Sequence, residues 1–176
     1  TNGIFSGAGV SGTSFNPANA GIGTKTISYI SPVDAHGCKD TAINQTTIHA
    51  LPSITFGSMI ADQCISTSSV ALSATPTGGS FSGTAVTGSS FNPSQAGVGQ
   101  SKVYYSYADG YNCSNMDSTI FTIHNLPAIT FNVGQSCANI AAMALSATPS
   151  GGSFSGTNVT GTNFSPVNAG VGSHQV

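Results

Sequence analysis

The sequence predicts an all-β fold assembled from repeats, and three observations predict it. One stretch is stated three times: TNGIFSGAGVSGTSFNPANAG at Thr1–Gly21, TGGSFSGTAVTGSSFNPSQAG at Thr77–Gly97 and SGGSFSGTNVTGTNFSPVNAG at Ser150–Gly170. Phe5, Phe81 and Phe154 correspond, as do Phe15, Phe91 and Phe164, and Pro17, Pro93 and Pro166. The period of about 75 residues is too long for a helical solenoid and suits a small sandwich domain. Second, charged residues make up only 5% of the 176, with no Arg, Glu or Trp, and Ser, Thr, Gly, Asn and Ala take their place. Long helices draw on Glu, Lys and Arg, whereas this composition belongs to turns and polar sheet faces. Third, Lys102–Tyr107 (KVYYSY) alternates Val103, Tyr105 and Tyr107 with Lys102, Tyr104 and Ser106, the period-2 pattern of a half-buried strand.

The elements follow in order through the one complete repeat, Leu51–Asn125. LPSITF at Leu51–Phe56 returns as LPAITF at Leu126–Phe131 and opens each repeat with a short strand, its Pro suited to a strand start or an edge. Gly57–Gln63 reads as loop, and Cys64 with Val70–Ala74 as a second strand. Thr75–Gly79 is a turn cluster, followed by short strands around Phe81 and Phe91 that Gly83 and Gly88 separate. Ala96–Gly99 breaks the chain before the Lys102–Tyr107 strand. Its counterpart in the first repeat sets Ile27 and Tyr29 inward. Ala108–Asn112 reads as a hairpin turn matched by Asp34–Gly37, and Asp117–His124 is the last strand, running straight into the next Leu-Pro. Six or seven short strands per repeat, alternating and rich in turns, fit an immunoglobulin-like β-sandwich, with repeats arranged stiffly end to end.

On this reading residues 1–50 are the C-terminal part of one repeat, 51–125 a complete repeat, and 126–176 the N-terminal part of a third. The chain opens and stops inside repeats, so it is expected to be a processed product or a window on something longer. Its incomplete ends would expose strand edges and half a core, which continuation of the chain or strand addition between subunits would cover. No apolar run approaches a membrane span, and three lysines supply no basic footprint for nucleic acid.

Chemistry-bearing residues are few. Cys64 follows the opening strand and Cys113 the hairpin turn, while Cys137 repeats the first position and Cys38 the second. The simplest pairing is Cys64–Cys113 within the complete repeat, with Cys38 and Cys137 paired outside the window. Closing that loop would contribute roughly 4 kcal/mol and would imply an oxidising, extracellular setting. The rival pairings Cys38–Cys64 and Cys113–Cys137 would staple neighbouring repeats. No zinc-ligand spacing, nucleophile elbow or phosphate loop is present, so no catalytic residues and no cofactor are expected. Asp34 and Asp109, one per hairpin turn, are the thin basis for calcium at a junction. His49 and His124 occupy equivalent places just before Leu-Pro and read as polar junction residues. Among the tyrosines, alternation leaves Tyr104 and Tyr111 as a candidate contact surface.

The run GGSFSGTxVTGxxF(N/S)P…AGVG, an aromatic strand, then D-x-x-G-C or D-G-Y-N-C and LPxITF resembles tandem immunoglobulin-like repeats. These repeats fill very large secreted surface proteins of Bacteroidota, many exported by the type IX system and described as adhesins or gliding-associated proteins. The likeness covers essentially the whole chain. It implies an extracellular, cell-surface stalk or filament, non-enzymatic, whose partners are neighbouring repeats or subunits and surface glycans or other cells. It also gives meaning to Asp40-Thr41-Ala42 and Asp117-Ser118-Thr119, read here as corresponding places after the hairpin cysteines. They match the O-glycosylation signal of that phylum, which would put sugars on Thr41 and Ser118.

Overall fold

A computed structural model describes residues 3–176. The chain is mostly β, with three helices of a single turn. It divides into two compact units, Thr1–His124 and Asn125–Val176, so the first two expected segments share a unit. Among the described residues no helix is long and apolar enough to cross a membrane.

In the first unit the opening segment carries β1 (Ile4–Ser6), β2 (Val10–Ser11), β3 (Ser14–Phe15), α1 (Pro17–Ala20), β4 (Gly23–Ile30) and β5 (Thr41–Ile48). β1, β4 and β5 form one antiparallel sheet in that order, and β2 pairs with β3. The second segment carries β6 (Thr55–Phe56), β7 (Asp62–Cys64), β8 (Val70–Ala71), β9 (Ala74–Thr75), β10 (Ser80–Gly83), β11 (Val86–Thr87), β12 (Ser90–Phe91), α2 (Pro93–Ala96), β13 (Gly99–Ala108) and β14 (Ser114–His124). That is nine strands where six or seven were expected, because Val70–Ala74 is broken at Leu72 and Ser73, and the phenylalanine region holds three strands. The pairings of the opening segment recur here: β10 pairs with β13 and β13 with β14, as β1 pairs with β4 and β4 with β5. The second segment adds what the first lacks. β7 joins the far edge of β14 in parallel, β8 joins β12, and β6 pairs with β9.

The core lies in the second segment. Leu72, Phe91, Val103, Phe121 and Ile123 are buried together, and the Phe91 and Phe121 rings stack with centroids 4.5 Å apart. Tyr105, 2% exposed, fastens the Thr75–Gly79 turn to β13. Its hydroxyl donates to the Pro76 carbonyl at 2.7 Å and accepts from the Gly79 N–H at 2.8 Å. A side chain on Gly79 would run into the Tyr105 ring, which is why the turn carries Gly there. The one-turn helices also have a local cause. Asn16 and Asn92 accept backbone N–H groups at the helix starts, and Pro17, Pro93 and Pro166 each occupy the first turn, where proline's missing N–H costs nothing.

The second unit carries β15 (Thr130–Phe131), β16 (Met143–Ala144), β17 (Ala147–Thr148), β18 (Val159–Thr160), β19 (Asn163–Phe164) and α3 (Pro166–Ala169). β15 pairs with β17 as β6 does with β9, and β16–β19–β18 repeats β8–β12–β11. Leu145 and Phe164 are buried, in the places of Leu72 and Phe91. An open cleft of about 740 Å³ is lined in part by Phe131, Met143, Phe164 and Pro166.

Candidate functional site

The most developed polar and aromatic constellation lies where the first segment passes into the second. β5 ends at Ile48, and the exposed His49 stacks its ring on Tyr111, with centroids 3.7 Å apart and planes 9° from parallel. Tyr111 is held out by the β13–β14 hairpin. Asp109 Oδ1 accepts from the N–H groups of Tyr111 and Cys113, both at 2.9 Å, and the Asp109 N–H bonds the Cys113 carbonyl at 3.0 Å. The Asn115 side-chain amide donates to the Pro52 carbonyl at 2.9 Å, tying the start of β14 to the Leu-Pro step. The aromatic stack thus joins the exit of one segment to the hairpin of the next, and the Asn115–Pro52 hydrogen bond, within the next segment, holds its Leu-Pro step to that hairpin.

The opening segment builds the same turn. Asp34 Oδ1 accepts from the N–H groups of His36 and Cys38, both at 2.8 Å, and Asp34 N–H bonds the Cys38 carbonyl. The carboxylates of Asp34 and Asp109 are therefore engaged in holding their own turns. Among the described residues no cluster of three His, Cys, Asp or Glu side chains is placed to hold a metal ion.

The expected Cys64–Cys113 disulfide is corrected by the register of the sheet. All four thiols are free, with Cys38, Cys64 and Cys137 exposed and Cys113 half-buried. Cys64 lies opposite His124, the last residue of β14, whereas Cys113 precedes Ser114, its first. At about 3.3 Å per residue the eleven-residue strand separates them by roughly 35 Å, far beyond disulfide reach. β7 is a parallel addition at the exit end of β14, which places the two cysteines of a repeat at its two ends.

The other sequence candidates scatter. Tyr104 is half-buried on β13 with the Lys102 ammonium 5.4 Å from its ring centroid, and Tyr111, still 68% exposed, stacks on His49. Thr41 is exposed at the start of β5, opposite Ile30, while Ser118 is half-buried within β14, opposite Tyr104. They are not corresponding positions: Asp40 follows its hairpin cysteine by two residues and Asp117 by four. Each aspartate does bond the N–H of the residue after it, at 2.7 Å. His124 Nε2 meets Asp62 Oδ1 at 3.0 Å, an exposed pair at the exit end. The Tyr111–His49 stack escaped sequence reasoning, although the recurring His before Leu-Pro and an aromatic at the hairpin tip were its signal.

Compared with known proteins, the chain matches no family model and no curated sequence.

Proposed function

We propose that the chain is an extracellular structural repeat protein whose immunoglobulin-like sandwiches form a stalk or filament at the cell surface, a spacer within an adhesin. The observation that carries this reading is the packed, linkerless passage from β5 into the next segment. A spacer resists bending only if consecutive domains grip each other. Here the His49–Tyr111 stack supplies that grip one residue beyond β5, and the Asn115–Pro52 bond holds the Leu-Pro step that follows to the same hairpin. The nearly uncharged Ser, Thr and Asn surface suits an exposed stalk that carries sugars, with Thr41 the accessible acceptor. The reading assigns no catalysis, no nucleic acid and no bound cofactor.

The test is the native protein's contour in electron micrographs, combined with protease shaving of intact cells. An elongated particle about one domain wide, released by shaving, is expected. A compact globule, or a protein that shaving leaves untouched, overturns the proposal. A second reading, a fibre of subunits that complete each other's sandwiches, is separated from one giant chain by the denatured mass of the native protein, near 17.5 kDa plus sugars for such a subunit.

A further inference from the structure

β13 pairs with one side of β14 from Ser114 to Ile123, whereas β7 covers the other side only from Thr122 to His124. Thr122 sends its N–H away from β13, to the Ala61 carbonyl at 2.9 Å. Backbone groups alternate in direction along a strand, so the N–H groups of Met116, Ser118 and Ile120 face that same open side. Two of them are already bonded. Asn115 Oδ1 accepts from the Met116 N–H at 2.9 Å, and Asp117 Oδ1 from the Ser118 N–H at 2.7 Å.

β5 repeats the arrangement. Asp40 turns its carbonyl inward to the Ser31 N–H at 2.9 Å, so Thr41, Ile43, Gln45 and Thr47 direct their N–H groups away from β4. Asp40 Oδ1 accepts from the Thr41 N–H at 2.7 Å, and Asn44 Oδ1 from the Gln45 N–H at 2.8 Å. Each Asn and Asp of these two strands, with Asp40 just ahead of β5, therefore precedes an outward N–H, and none precedes an inward one.

The spacing decides what these caps do. An added strand takes its ladder bonds from successive outward residues. On β5 the capped Thr41 and Gln45 flank Ile43, and on β14 the capped Ser118 and the Ala61-bound Thr122 flank Ile120. Among the described residues, no two successive outward N–H groups are free from Thr41 to Thr47 or from Met116 to Thr122. Open strands are commonly guarded by charge, above all lysine. Neither strand holds a lysine, and both expose large apolar side chains, Ile43 on β5 and Met116 and Ile120 on β14. Such an edge would otherwise template another chain.

We propose that Asp40, Asn44, Asn115 and Asp117 are edge guards: by holding the N–H of the next residue they close β5 and β14 to strand addition by a second copy of the chain. An incoming strand has to break a local bond at every capped position and leaves the displaced carboxylate or amide at the seam. The device works without surface charge, as a chain with only 5% charged residues requires. It goes beyond the stalk reading and does not depend on it.

The test is sedimentation of the 176-residue chain under reducing conditions over a range of concentrations, with amide exchange followed in parallel. Asn44→Thr with Asp117→Thr removes one cap from each strand and leaves Asn115, which also bonds Pro52, in place. The double variant should climb in mass above 17.5 kDa with concentration and gain protection at Gln45 and Ser118, while the unaltered chain does neither through these strands. A double variant that stays at that mass, or associates without such protection, overturns the proposal, as does an unaltered chain that pairs along β5 or β14. Asp117→Asn keeps the acceptor and drops the charge, so it should stay with the unaltered chain. If it associates as the double variant does, charge and not the cap closes the edge. In the unaltered chain the Thr41 and Gln45 amides should exchange severalfold more slowly than Ile43 between them, after correction for sequence. Equal rates overturn the caps whatever the variants do.

Discussion

Residues 51–124 and residues 4–48 share one strand plan, yet only the first has a core. In the second segment Phe91 is fully buried and Val103, Phe121 and Ile123 close over it. In the opening segment the counterparts Phe15, Ile27 and Ile48 are only half-buried, and Thr46 stands where Phe121 does. The back sheet, β1–β4–β5, forms with the same register as β10–β13–β14, so hairpin pairing needs no front half. Burial does. The difference teaches that strand pairing is local to each hairpin, whereas the hydrophobic stabilisation comes from the front strands laid across it.

Phe91→Ala should break that comparison most sharply. It removes a wholly buried ring and its stack on Phe121, so a loss of about 3–5 kcal/mol is expected in urea unfolding. Phe15→Ala, at the equivalent half-buried place, should cost about 1 kcal/mol or less, because little apolar area leaves water there. Equal losses would mean the opening segment has a core of its own. Tyr105→Phe comes next. It strands the Pro76 carbonyl and the Gly79 N–H at the turn that joins front to back, for about 1–3 kcal/mol. Thermal unfolding of the intact chain measures it, and an unchanged midpoint would show that the turn is held by backbone alone.

Much of this plan is legible in the residues. The alternation of Lys102–Tyr107 foretells the inward Val103 and Tyr105, which are 0% and 2% exposed. The Asp-led turns give both long hairpins. Two Asn-Pro steps and the Ser165-Pro166 step signal three helix starts that are easily passed over as loop, since one turn carries no periodicity. The cysteine placement was not legible. A parallel pair such as β7 and β14 joins residues about sixty apart with no hairpin between them, so no local signal states its register. Intermediate spacing suggested a closed loop where the fold has opposite ends. The left-handed position shared by Gly9, Ala85 and Asn158 tells the reverse story, because Gly and Asn there mark the turn and Ala does not.

Ser101→Ala sharpens the comparison from inside the complete segment. Its hydroxyl is buried and, among the described residues, has no hydrogen-bond partner, while the opening segment has the half-buried Lys25 at that place. Removing an unsatisfied buried hydroxyl should raise stability by about 1 kcal/mol, read as a higher urea midpoint at unchanged slope. A destabilised variant would mean that the hydroxyl is satisfied in solution.

The smallest expected change in stability concerns the passage between the segments. Tyr111 is exposed, so Tyr111→Ala should cost about 1 kcal/mol or less, the worth of an aromatic stack in water. Its effect belongs to the junction, not to the core. Tyr111 meets the opening segment at His49, whereas the Asn115–Pro52 bond lies within the second segment, so without Tyr111 the opening segment should lean more freely on the second. Small-angle scattering of the intact chain should then show a broadened distance distribution at nearly unchanged thermal stability. If the distribution stays put, backbone geometry at Leu51–Pro52 sets the angle between segments. If stability falls by several kcal/mol, Tyr111 is part of the folding core, and the junction is no longer separable from the domain it leads into.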